Sequence, residues 1–105
     1  MSSHNEEPVL SIALQDGFEQ ESVIVSVNGK EVYRNEALQT DYRISLAASF
    51  ETPLPNSPVT IAIKLPKQSI TDSLQFNADT TVYVGISWLE GRLLFKTSET
   101  PFGYL

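Results

Sequence analysis

The sequence predicts an all-β fold, an antiparallel two-sheet β-sandwich of about seven to eight strands, and three observations carry that prediction. Runs with a two-residue apolar period recur along most of the chain, as half-buried strands require. Short turn signals separate them, and no stretch shows a helical period. The third is a well-defined hairpin between Thr80 and Thr97. There Val82, Val84, Ile86 and Trp88 alternate with Thr81, Tyr83, Gly85 and Ser87, and after Glu90-Gly91 the pattern resumes with Leu93 and Phe95. A two-residue turn sets Trp88 against Leu93 and Ile86 against Phe95 on one face, whereas a three-residue loop would send Leu93 and Phe95 to the polar side. Trp88 is therefore expected to be largely buried. Glutamate is a poor residue for positive φ, so parity fixes the length of this turn but not its type.

The remaining elements follow in chain order. Pro8 opens a strand in which Leu10, Ile12 and Leu14 alternate with Ser11 and Ala13, and Asp16-Gly17 closes it with turn chemistry. Val23 to Val27 leads into Asn28-Gly29, the dipeptide best suited to a type I′ hairpin, which would place Val25 opposite Val32 and Ile24 opposite Tyr33. Arg34 to Thr40 reads as a polar connection, and Tyr42, Ile44 and Leu46 as a short strand. Ala47 to Ser57 has Phe50 as its one strong anchor and is flanked or interrupted by Pro53, Pro55 and Pro58, so it reads as an extended crossing between sheets. Val59, Ile61, Ile63 and Leu65 then form the cleanest alternation, bracketed by Pro58 and Pro66. In the next strand Ile70, Leu74 and Phe76 share a parity with Asp72, so either a bulge turns Asp72 outward or it lies at the sheet rim.

Length and charge bound the function. A chain of 105 residues can bury about two-thirds of its unfolded surface around one core, and residues 8–105 are read as one sandwich domain behind an unstructured tail, residues 1–7. The net charge of −6, with scattered Lys and Arg, argues against nucleic acid and anionic lipid as partners. No stretch approaches the roughly 18 apolar residues of a membrane span. Cysteine is absent, and the polar start MSSHNEEP lacks the apolar run of a secretory signal, so a cytoplasmic location is expected.

The segments DGFEQESVIVSVNGKEVY, PVTIAIKLP and WLEGRLLFKTSETPFGYL resemble a small stand-alone bacterial β-sandwich family of uncharacterised function. They are also similar in style to immunoglobulin-like and prealbumin-like modules. The resemblance implies a sandwich and supplies no catalytic residue. The two cysteines that flank a buried tryptophan in antibody domains are missing, so Trp88 does not carry over as that tryptophan.

The chemical constellations are sparse. A Ser-His-Asp site needs a base within reach of its nucleophile, and the sole histidine, His4, falls in the tail. Zinc wants three or four His or Cys ligands. No catalytic residue and no cofactor are expected, and the chain reads as non-enzymatic. Asp72 is the one carboxylate whose parity suggests an unusual environment. Asp16, Glu19 and Glu21 offer the hard oxygen donors that calcium prefers, although a solvated acidic loop is the plainer reading. Tyr33 and Tyr83 lie on parities opposite the main apolar rows and are candidate ligand-binding residues on which a sugar ring could stack; cross-strand packing is the plainer reading. Phe102, Tyr104 and Leu105 crowd the chain end. They should fold back over an open end of the sandwich or pack on a second copy as a self-association surface. The expected function is a non-enzymatic protein-interaction or structural module, with a protein partner or a homodimer; the alternative is a carbohydrate-binding module using the two tyrosines.

Overall fold

The apolar rows of the sequence become the inner faces of two packed sheets in the computed structural model, which describes residues 7–103. The expectations for residues 1–6, His4 among them, and for Tyr104 and Leu105 lie outside the described residues. The strands are β1 (Val9–Leu14), β2 (Glu19–Val27), β3 (Lys30–Gln39), β4 (Ala48–Pro53), β5 (Val59–Leu65), β6 (Ile70–Phe76), β7 (Val82–Leu89) and β8 (Arg92–Ser98). The first sheet has the order β4-β1-β7-β8 and the second β3-β2-β5-β6. Neighbouring strands run antiparallel except β1 and β7, which are parallel. In an immunoglobulin constant domain the first two strands share a sheet. Here β1 and β2 lie in different sheets, so the strand order departs from that arrangement.

The four inner strands supply most of the core. Leu10, Ile12 and Leu14 of β1, Val23 and Val25 of β2, Val59, Ile61, Ile63 and Leu65 of β5, and Val84 and Ile86 of β7 are fully buried. Each row keeps the two-residue period because only one pleat face meets the opposite sheet. The edge strands pack half-buried side chains such as Phe50, Leu74, Phe76 and Phe95 against it.

The β7–β8 hairpin has the expected register, Trp88 opposite Leu93 and Ile86 opposite Phe95, with Glu90 at φ 54 and Gly91 at φ 78. Both turn residues are left-handed, so Glu90 adopts the conformation for which its type is poorly suited. Trp88, expected to be largely buried, is half-buried, because it occupies the last inward position of β7, next to the turn.

Arg34 to Thr40, expected as a polar connection, instead continues β3 as far as Gln39 in pairing with β2, and three other expectations are corrected. At the β2–β3 turn, Asn28 and Gly29 have φ 49 and 84, and Val27 pairs with Lys30 and Ser26 with Glu31. The register then slips, so Val25 faces Tyr33 and Ile24 faces Arg34, in place of the expected Val25–Val32 and Ile24–Tyr33 pairs. Val32 is the extra residue of a bulge. Second, Tyr42 to Leu46 is a turn rather than a strand. Asp41 and Leu46 exchange backbone hydrogen bonds, and the Asp41 carboxylate accepts the Arg43 N–H at 3.0 Å, a local bond that overrides the alternation. Third, the proline-rich crossing contains edge strand β4, paired with β1 from Leu14↔Ala48 to Val9↔Pro53. The chain does change sheets on both sides of β4, as the prolines imply. Asp72 resolves to the rim: β5 and β6 pair without a shift, Asp72 stands opposite buried Ile63, and it is exposed because β6 is an edge.

Candidate protein-interaction face

The site is built around the turn that follows β1. Gln15 extends that strand, its N–H donating to the Ile86 carbonyl at 2.7 Å, while the Trp88 N–H donates to the Asp16 carbonyl at 2.9 Å. Gly17 has φ 93, and a Cβ there would lie 1.6 Å from the Trp88 carbonyl oxygen, so β7 passes where any side chain would stand. Phe18 then plugs the core with no exposed surface. Thr40, 3% exposed, ties the end of β3 to this turn: its hydroxyl donates to the Gln15 carbonyl at 2.7 Å and accepts the Phe18 N–H at 3.0 Å.

This framework fixes three surfaces beside one another on the outer face of the first sheet. The 41–46 turn presents Tyr42, Arg43 and Ile44. The β7–β8 hairpin presents Leu89, and Leu94 on the strand position opposite Ser87, whose hydroxyl accepts the Asp16 N–H at 3.3 Å. Leu89 also reaches the turn, its Cδ2 lying 3.3 Å from where a Cβ of Gly17 would be. The chain end returns from β8 to set the Phe102 ring 5.2 Å from the Lys96 Nζ. Between them is a cleft of about 380 Å³ lined by Gln15, Asp16, Arg43, Ile44, Lys96 and Phe102. Beside it, Gly85 has no side chain, and a Cβ there would meet the Gln15 amide at 2.7 Å.

Tyr42, Leu89 and Leu94 are 54%, 39% and 43% exposed, and all three surround the Asp16-Gly17 turn. Among the described residues they are the exposed large apolar side chains. One charged pair lies on this face, Arg43 with Asp41. The Arg43 guanidinium and its backbone N–H hold Asp41 at about 2, well below the usual carboxylate range. Partial desolvation, and then the hydrogen bond to Glu19 at 3.1 Å, raise the Tyr42 phenol.

The structure separates the residues that the sequence groups. Asp16 is half-buried in its turn, Glu19 accepts the Tyr42 hydroxyl, and Glu21, 5% exposed, accepts the Gln68 amide at 3.2 Å. Among the described residues no group of three or more His, Cys, Asp or Glu could hold a metal ion. Tyr33 and Tyr83 lie in different sheets. The bulge turns Tyr33 inward, where its ring stacks on Phe50 of the opposite sheet at 4.8 Å between centroids and 5° between planes. Tyr83 is half-buried on the outer face of the first sheet, opposite Ser98. Phe102 does fold back, but onto that outer face rather than over an open end. Sequence reasoning missed Phe18, Thr40, Tyr42, Leu89 and Leu94. Leu89 and Leu94 were readable, being apolar at positions that the hairpin parity sends outward.

Comparison with protein-family models, with curated proteins and with solved structures finds no match. Among the described residues no helix is long and apolar enough to cross a membrane.

Proposed function

We propose that this chain is a non-enzymatic protein-interaction module that engages its partner through the outer face of the first sheet. The observation that carries the reading is the gathering of exposed Tyr42, Leu89 and Leu94 around the Asp16-Gly17 turn, whose Asp16 also lines the cleft. Scattered exposed leucines need no explanation, whereas apolar side chains grouped on one face beside a polar rim favour association. The carbohydrate alternative would rest on Tyr83 alone, because Tyr33 gives a ring face to Phe50. Of the two resemblances in style, the prealbumin-like one is carried forward, since the immunoglobulin strand order is not met. A reducing, cytoplasmic setting suits a chain without cysteine.

The test is a pull-down from native lysate with wild-type protein and with Leu94→Glu, an exposed position whose change leaves the core intact. A partner retained by the wild type and lost with Leu94→Glu supports the reading. Equal capture by both, or none by either, overturns it.

A further inference from the structure

β8 is an outer strand of the first sheet, and its free side carries an open row of backbone groups. It pairs with β7 from Leu89↔Arg92 to Tyr83↔Ser98 without a register shift, and its sequence RLLFKTS has no proline. Counted from the two-residue turn, Arg92, Leu94 and Lys96 turn their backbone N–H and C=O groups toward β7, and Leu93, Phe95 and Thr97 turn theirs away from it. Among the described residues no hydrogen bond reaches that second set from another strand or loop. The other edges are less receptive: β3 slips its register, β4 ends in Pro53 and β6 holds Asp72 on its inward parity. On the outer face of β8, exposed Arg92 and Lys96 flank exposed Leu94. Neither cation is in an ion pair among the described residues. The Phe102 ring, its centroid 5.2 Å from the Lys96 Nζ, steadies the ammonium without neutralising it.

We propose that β8 accepts an extended acidic segment of a partner protein as an added antiparallel strand, with carboxylates opposite Arg92 and Lys96 and a small or apolar side chain opposite Leu94. This deepens the interaction reading and rests on it, naming the partner's chemistry and its mode of attachment. Strand addition draws affinity from main-chain hydrogen bonds and specificity from alternate side chains. Two copies of β8 paired antiparallel about Leu94 would set Arg92 against Lys96, like charges directly opposite. The same cations that disfavour a second copy therefore favour a strand of opposite charge. The net charge of −6 opposes an acidic chain at long range. Exposed charges more than about 8 Å away are screened at physiological salt, however, whereas facing cross-strand side chains are roughly 5 Å apart, so the two cations decide. Glu90 and Glu99 lie just beyond the β8 ends, near Arg92 and Ser98, which confines the favourable register to the stretch between them.

The test titrates the full-length protein with a fluorescent synthetic peptide, Ser-Glu-Thr-Val-Thr-Glu-Ser, which alternates as the edge requires. Fluorescence anisotropy should show saturable binding to wild type, and binding about tenfold weaker when lysine replaces both glutamates, because two facing pairs turn from attractive to repulsive. Arg92→Glu combined with Lys96→Glu should reverse that preference. Methylating the backbone nitrogens of the two threonines, which face Leu93 and Phe95, removes donors aimed at β8 and should abolish binding. Amide hydrogen exchange at Leu93 and Phe95, followed by NMR, should slow in the complex. Failure of the acidic peptide to bind at millimolar concentration, equal binding of both peptides, or binding that leaves Phe95 exchange unchanged overturns the proposal. So does Phe95 exchange that slows in wild type alone as its concentration rises, which would make a second copy the occupant. Should the double reversal fail to fold, Arg92→Gln and Lys96→Gln should each lower the preference for the acidic peptide, and no change in either overturns the proposal. None of these outcomes depends on Leu94→Glu: a pull-down partner lost with that variant, beside a peptide that does not bind, keeps the interaction reading and removes strand addition.

Discussion

Gly17 and Gly29 both sit at turns with positive φ, yet they should respond very differently to alanine. The left-handed backbone costs an L-residue roughly 1 to 2 kcal/mol at either site. At Gly29 nothing lies within 4 Å of the added Cβ, so Gly29→Ala should cost about that much and no more. At Gly17 the Cβ would meet the backbone of Trp88, and β7 cannot yield without breaking its pairing with β1. Gly17→Ala should therefore exceed about 4 kcal/mol, the tail of the mutational range, and urea midpoints of the two variants check it. Thr40→Val keeps the shape but leaves the buried Phe18 N–H and Gln15 carbonyl without their hydroxyl partner. It should cost about 1 to 3 kcal/mol, the price of unsatisfied buried groups, also read from the urea midpoint. The Asp41–Arg43 pair is a matter of pH. Because Asp41 titrates at about 2, below its unfolded range, the pair contributes stability above the ordinary carboxylate range and loses it as pH falls through that range toward 2. Arg43→Ala should raise Asp41 part of the way back to ordinary titration, since the backbone N–H of residue 43 still donates to the carboxylate, checked by NMR of the carboxylate. The pair is exposed, so the midpoint of folding should scarcely move at neutral pH.

At the scale of the element, the bulge in β3 decides what Tyr33 does. By shifting Tyr33 opposite Val25 it sends the ring into the gap between sheets, onto Phe50. A double-mutant cycle with Tyr33→Leu and Phe50→Leu should give a coupling of about 0.5 to 1.5 kcal/mol, the range for stacked aromatic pairs; a coupling near zero would mean that the rings merely fill space. The same bulge shows where the sequence was legible. Asn28-Gly29 and Glu90-Gly91 announce their turns through residues that tolerate or neighbour positive φ, and inner strands β1, β5 and β7 announce themselves through unbroken alternation. Edge strands β3 and β4 do not. β3 carries Val32 and Tyr33 side by side, so parity is ambiguous, and β4 offers Ala48, Phe50 and Thr52 as its inward row, of which only Phe50 is strongly apolar. Tyr42 to Leu46 alternates convincingly yet turns, because Asp41 holds the Arg43 amide. The candidate face was legible in part: outward Leu89 and Leu94 follow from the hairpin, whereas Phe18 and Thr40 stand alone beside turns, where no period can point to them.

For the molecule as a whole, two open four-stranded sheets leave four edges, and an unguarded edge is a template for pairing with another chain. Each edge carries a device against it. β3 has three register irregularities, β4 ends in Pro53, and β8 sets Arg92 and Lys96 along its outer face. β6 has the least regular protection in form, pairing with β5 over its whole length without a shift. Its guard is Asp72, a charge on the inward parity between Ile70 and Leu74 that stays in water only because β6 is the last strand. A further strand added to this edge would cover Asp72 and bury its carboxylate beside Ile70, Leu74 and Phe76, at a cost of desolvation that opposes the gain in backbone hydrogen bonds. Asp72→Val removes that penalty and completes an apolar row. The variant should melt no lower than wild type, because the position is exposed in the monomer. It should nonetheless self-associate at concentrations where wild type sediments as a single species, and Asp72→Asn should fall between the two. If Asp72→Val sediments as wild type does across the same concentrations, the carboxylate does not guard the edge, and protection of β6 must come from its twist or from the charges around it.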